Sequence, residues 1–134
     1  MMPKQAEPAA QKHVLVVDDN VDLALTYQEL LQLQGYRVSV AHDGAQALKL
    51  LAQSEVAAVV CDLSMPHLEG DMFHNAAIHV RPELDGRFVF VTGHAGNPKF
   101  EHFLKEVNAR VLYKPIQMKD LVEALRALFN QPPA

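Results

Sequence analysis

The chain predicts an α/β protein built on an open, parallel, five-stranded sheet with helices on both faces. Two observations carry that prediction. Short β-branched or apolar runs recur at 13–17, 36–41, 56–61, 87–91 and 110–113, each the length of a strand buried on both faces. Between and after them lie stretches with apolar residues at helical spacing. Such alternation implies parallel strands joined by crossover helices.

The elements follow in order. The run 13–17 leads into Asp18, Asp19 and Asn20, and Asp19 or Asn20 is placed to cap a helix from residue 21. Leu23, Tyr27, Leu30 and Leu31 share one face of that helix, and Gly35 closes it. After the second run, Asp43-Gly44 opens a helix with Ala47, Leu48, Leu51 and Ala52 inward. The third run, Val56-Ala57-Ala58-Val59-Val60-Cys61, meets Asp62 and then Leu63-Ser64-Met65-Pro66. A helix over 70–80 would turn Met72, Phe73, Ala76 and Ala77 inward. The fourth run ends in Thr92-Gly93. Asn97-Pro98 then reads as an N-cap with Pro at the first helical position, before the stripe Phe100, Phe103, Leu104, Val107. The fifth run ends in Lys114-Pro115, and Leu121, Leu125 and Leu128 mark the last helix. With right-handed crossovers, five strands and five helices are most simply a flavodoxin-like doubly wound fold of strand order 2-1-3-4-5. Residues 1–12 read as a disordered lead, 13–129 as one domain, and 130–134 as a short tail.

Composition narrows the function classes. A chain of 134 residues is the size of one domain. No apolar stretch approaches the ~20 residues of a membrane span, and the start lacks the apolar segment of a secretion signal. A net charge of −4 without a dense Lys/Arg block argues against nucleic acid as a partner. The lone Cys61 excludes an intramolecular disulfide and suits a reducing cytoplasm, where the protein is expected to reside. Cys61 itself is expected in the core.

Function is concentrated at the strand ends. In order 2-1-3-4-5 the first and third strands are neighbours, so Asp18, Asp19 and Asp62 meet at the carboxyl edge, where open α/β sheets bind ligands. Three carboxylates repel one another without a counter-charge. A divalent cation supplies it, and an all-oxygen site favours Mg²⁺. The bland alternative is that these acids merely cap helices. Thr92 and Lys114 arrive at the same edge and add a hydroxyl and an ammonium, the groups a phosphoryl needs beside a metal. Asp62 would then be the nucleophile, forming an acyl phosphate. His13, His42, His67, His74, His79 and His102 show neither the helical pairing nor the Cys partner of a metal site.

These pieces resemble the receiver domain of two-component response regulators over about 13–129. The matching segments are Val-Val-Asp-Asp-Asn at 16–20, Cys-Asp-Leu-Ser-Met-Pro at 61–66 with Gly70, Val-Thr-Gly at 91–93 and Tyr-Lys-Pro at 113–115. The resemblance implies that Asp62 is the phosphoacceptor, served by a histidine kinase or histidine phosphotransfer protein. It implies Mg²⁺ held by Asp18, Asp19, Asp62 and the backbone carbonyl of Ser64, with Thr92 and Lys114 binding phosphoryl oxygens. Met65-Pro66 and Gly70 would shape the loop after the acceptor. Ser64 and His94 stand where phosphoryl lifetime is tuned. Where many receivers carry a switching Tyr or Phe, this chain has Val111. Tyr113 is not its substitute, and Val111→Ala is expected to alter phosphorylation-dependent binding little.

The resemblance further implies a protein that modifies itself, is not a turnover enzyme, and signals by binding a downstream protein target. The chain ends after the last helix, so no output domain is expected. Phe100, Glu101, Lys105, Val111, Lys119 and Arg126 would contribute to an interaction or homodimer face on the fourth helix, fifth strand and fifth helix. Two alternatives stand beside it. One is a phosphorylation-independent interaction domain. The other is a Mg²⁺-dependent phosphohydrolase of the haloacid dehalogenase type, which wants a second Asp where this chain has Ser64.

Overall fold

The computed structural model describes residues 11–65, 68–93, 98–107 and 109–130. Strands β1 (His13–Val17), β2 (Arg37–Ala41), β3 (Ala58–Asp62), β4 (Phe88–Thr92) and β5 (Arg110–Tyr113) form one parallel sheet. Their spatial order is β2-β1-β3-β4-β5, the predicted doubly wound order. The crossovers are α1 (Val21–Leu33), α2 (Gly44–Gln53), α3 (Gly70–Val80) and α4 (Pro98–Val107), and α5 (Met118–Phe129) follows β5. A single 3₁₀ turn, Pro82–Leu84, joins α3 to β4. None of the described helices is long and apolar enough to cross a membrane.

Local chemistry sets the helix ends. The Asn20 side chain accepts a hydrogen bond from the Leu23 amide, and Asp43 accepts from Gln46, satisfying amides that helix starts leave unpaired. Gly35 follows α1 with φ of 96°, a left-handed conformation that glycine adopts without steric cost.

Strand alternation sorts the core into two layers. Val14, Val16, Val60, Val89 and Val91 pack with Ala24, Tyr27 and Leu31 of α1 and Leu121, Leu125 and Leu128 of α5. Leu15, Val17, Val59, Cys61, Phe88 and Phe90 face the other way, against Leu51 of α2, Phe73 and Ala77 of α3 and Phe100 of α4. At the amino edge the buried His13 clasps two neighbours. Its Nδ1 donates to the Glu55 carbonyl (3.0 Å) and its Nε2 accepts from the Ser39 hydroxyl (2.8 Å).

Several expectations are corrected. β2 starts at Arg37, one residue later than expected. β3 and β4 run later than their apolar runs, omitting Val56, Ala57 and Arg87 and including Asp62 and Thr92. Ladder pairing decides this, since Asp62 pairs with Val91 and Thr92 with Tyr113 whatever their intrinsic strand preference. Met72 is 57 % exposed, and the inward face of α3 is Phe73, His74 and Ala77. Ala52 is exposed rather than inward. Phe100 is 2 % exposed and belongs to the core, so it cannot line a binding face.

Candidate functional site

Strand parity assembles the site. Asp62 continues the series Ala58, Val60 along β3, Asp18 follows Val14, Val16 beyond β1, and Lys114 follows Leu112 beyond β5. All three series face the layer shared by α1 and α5. Lys114 Nζ lies 3.2 Å from Asp62 Oδ2 and 3.4 Å from Asp18 Oδ2. Oxygens of Asp18, Asp19 and Asp62 lie within 4.8 Å of one another. Asp18 and Asp62 are buried, whereas Asp19 is exposed.

The backbone holds these groups in place. Asp18 Oδ1 accepts from the Asn20 amide (2.9 Å), and Asp62 Oδ1 accepts from the Ser64 amide (3.1 Å). The Lys114 amide donates to the Thr92 carbonyl (2.8 Å), tying the end of β5 to the end of β4. Thr92 itself is buried one position beyond Val91, the partner of Asp62. Gly70 opens α3 directly against the end of β3. A Cβ there would meet the Asp62 carbonyl oxygen and the Leu63 Cα, both at 2.8 Å. No side chain fits that approach.

Electrostatics follow from burial. Desolvation pushes the Asp62 carboxyl above its ordinary range; Lys114 opposes the shift and Asp18 reinforces it. For Lys114, burial works against the charged form, yet the carboxylates of Asp62 and Asp18 win and its ammonium is held more firmly than usual. Tyr27 lies within the α1 layer, and burial together with the charges of Asp18 and Asp62 raises its phenol to about 12. Three carboxylates against one ammonium leave two negative charges. The donors are all oxygens, so charge and chemistry fit a hard divalent cation such as Mg²⁺.

The structure thus brings together Asp18, Asp19, Asp62 and Lys114, with Thr92 and Ser64 on the adjoining segments. His94, Pro66, His67 and Asn97 lie outside the described residues. Val111 is half-buried beside Phe90, its ladder partner, while Tyr113 further along β5 is exposed. Cys61 is fully buried, its thiol donating to the Asp62 carbonyl (3.1 Å), and desolvation pushes that thiol well above its usual range. Sequence reasoning missed two neighbours. Tyr27 was visible only as an inward helix position, and His42 only as one histidine among several. His42 Nδ1 reaches the Asp18 carbonyl oxygen (3.3 Å) from just beyond β2, a contact between segments 24 residues apart that no local pattern announces.

Fold and edge together define a doubly wound α/β domain with a cluster of three carboxylates at the carboxyl edge of the sheet and a lysine against it. The family model described as response regulator receiver domain matches residues 14–126. The chain belongs to that family and is a receiver domain of two-component systems. It is 28 % identical over 120 residues to the response regulator receiver protein CpdR of Brucella abortus (strain 2308), covering 87 % of this chain and 96 % of CpdR. It is 25 % identical over 130 residues to the sensor kinase CckA of the same strain, covering 96 % of this chain but 14 % of CckA. Among solved structures, the Vibrio cholerae chemotaxis protein CheY4 superposes with a TM-score of 0.79 at 26 % identity, covering 89 % of this chain and 99 % of that one.

Proposed function

We propose that Asp62 accepts a phosphoryl group from a phosphohistidine, carried by a histidine kinase or a histidine phosphotransfer protein, in the presence of Mg²⁺. A carboxylate oxygen of Asp62 attacks phosphorus, the phosphorus–nitrogen bond breaks, and the departing imidazole takes up a proton. The observation that carries this reading is the buried Asp62 carboxylate held 3.2 Å from Lys114 Nζ, with oxygens of Asp18 and Asp19 in the same cluster. Asp18, Asp19, Asp62 and the Ser64 carbonyl would hold the ion. When bound, it neutralises the carboxylates and the incoming phosphoryl oxygens. Lys114 supplies a fixed cation and Thr92 a hydroxyl donor to those oxygens. His94, two residues past Thr92, and Ser64 are the positions we assign to tuning phosphoryl lifetime.

The aspartyl phosphate changes which proteins the domain binds. It is consumed by hydrolysis or onward transfer, so the protein is not a turnover enzyme. We assign the downstream and homodimer contacts to the α4–β5–α5 face, without Phe100. The cytoplasm is the setting we propose. Intact-mass measurement after acetyl phosphate treatment tests the reading. The expected result is an adduct of about 80 Da that needs Mg²⁺ and is lost in Asp62→Asn. No adduct and no Mg²⁺ response would instead favour a phosphorylation-independent interaction domain. Sustained phosphate release from small phosphomonoesters would point to a phosphohydrolase.

A further inference from the structure

We propose that His42 is a positioning residue for the cation site: its imidazole holds the Asp18–Asp19 peptide so that the exposed Asp19 carboxylate stays aimed at the metal. The inference rests on the Mg²⁺ reading of the acidic cluster and adds a residue to it from the neighbouring strand.

The argument begins with the ladder. β1 and β2 pair from His13 with Arg37 to Val17 with Ala41, and the Asp18 amide extends that pairing by donating to the Ala41 carbonyl (3.1 Å). One more rung would bring the amide of residue 43 to the Asp18 carbonyl. The chain cannot supply it, because Asp43 has already become the N-cap of α2. The His42 ring takes that place, with Nδ1 at 3.3 Å from the Asp18 carbonyl oxygen. A carbonyl oxygen only accepts, so Nδ1 carries the proton. The last residue of β2 and the one that follows it therefore grip Asp18 at its amide and its carbonyl.

That grip acts on Asp19. The peptide joining the two aspartates is planar and rigid, so fixing the Asp18 oxygen also fixes the Asp19 nitrogen. Asp18 has other restraints, being buried, bonded to the Asn20 amide and paired with Lys114. Asp19 is exposed, and the peptide that precedes it is held by the His42 ring. His42 is in turn anchored, its amide donating to Gln46 Oε1 (2.6 Å) while the Gln46 amide donates to Asp43 Oδ1 (2.7 Å). The cap of α2 thus braces the ring that braces the metal loop. Residues that orient ligands from outside the coordination sphere commonly govern metal affinity.

The test compares His42→Ala and His42→Asn with the parent. Asn places an amide donor where Nδ1 stands, so it restores the tether without an imidazole. By isothermal titration, Mg²⁺ affinity should fall about tenfold in His42→Ala and return to within about twofold in His42→Asn. In the metal-free protein, the ¹⁵N order parameter of the Asp19 amide should drop from roughly 0.85 to below about 0.6 in His42→Ala only. Parental Mg²⁺ affinity in His42→Ala, no rescue by His42→Asn, or a rigid Asp19 amide in His42→Ala each overturns the proposal. A parent that binds no Mg²⁺ overturns the phosphoacceptor reading instead, and the Asp19 order parameter still decides whether His42 is the tether.

Discussion

Asp62 shares its pocket with Asp18 and Lys114, and burial raises the proton affinity of its carboxyl despite the lysine. The folded chain therefore binds that proton more tightly than the unfolded chain. The contribution to stability is complete below the ordinary value of 3.8 and is lost as pH rises through the raised folded value. In metal-free protein, Asp62→Asn should be more stable than the parent at neutral pH, because the amide carries no charge to desolvate. The gap should close toward about pH 4, as thermal melts across that interval would show. Asp18, Asp19, Asp62, Thr92 and Lys114 were picked out in the sequence because each sits where a buried run stops. Tyr27 and His42 were not. Their places beside the cluster come from what the fold sets next to them, and a phenol on an apolar stripe or a histidine after a strand carries no local mark of that.

Helix α3 shows how an element constrains the site it borders. Gly70 sits so close to β3 that Gly70→Ala should cost about 1–3 kcal/mol of stability by overpacking, because the nearest obstacles include backbone that cannot swing aside. If Asp62 is the acceptor we propose, its acetyl phosphate labelling should slow in the same variant, since one crowded atom is its own carbonyl oxygen. On its inner face His74 packs edge-on to Phe88 and Phe103, with ring centroids 4.7 and 5.3 Å away, and its Nδ1 has no hydrogen-bond partner. Burial lowers the proton affinity of His74, as it does for His13, despite the favourable bond to Glu55 there. Both therefore favour the neutral ring in the folded chain. Their contribution is complete above the ordinary value of 6.5 and declines as pH falls below it through the lowered folded values. Exchanging ring for ring in His74→Phe should add about 1 kcal/mol by removing an unpaired buried nitrogen. Chemical denaturation of that variant should show a shallower loss of stability below 6.5 than the parent. The sequence misled here for a physical reason: with His74 counted as polar, the apolar stripe rotated toward Met72, which the structure leaves in solvent.

Across the whole molecule, topology was the most legible feature. Alternating runs, a parallel sheet and right-handed crossovers leave few ways to wind five strands. Strand ends were less legible, because the last rung depends on what a neighbouring strand offers. At this scale the proposed Mg²⁺ site exists only where the fold brings the three carboxylates together, so binding there would favour the folded state. Mg²⁺ at about 100 times its dissociation constant should stabilise the protein by about 2.7 kcal/mol, read as a rise of several degrees in the melting midpoint. The Asp18→Asn, Asp19→Asn double variant should show no such rise. An equal rise in parent and variant would place the ion elsewhere.

Cys61 and Asp62 are neighbours in the chain but face opposite layers of the core. A single residue inserted within β3 would exchange them, presenting a thiol to Lys114 and driving the carboxylate among Phe73 and Phe90. The side-chain period of two therefore makes the strand itself intolerant of a one-residue insertion. One substitution could remove the Asp62 carboxylate, but no single insertion could move it one step along the strand and keep it beside Lys114.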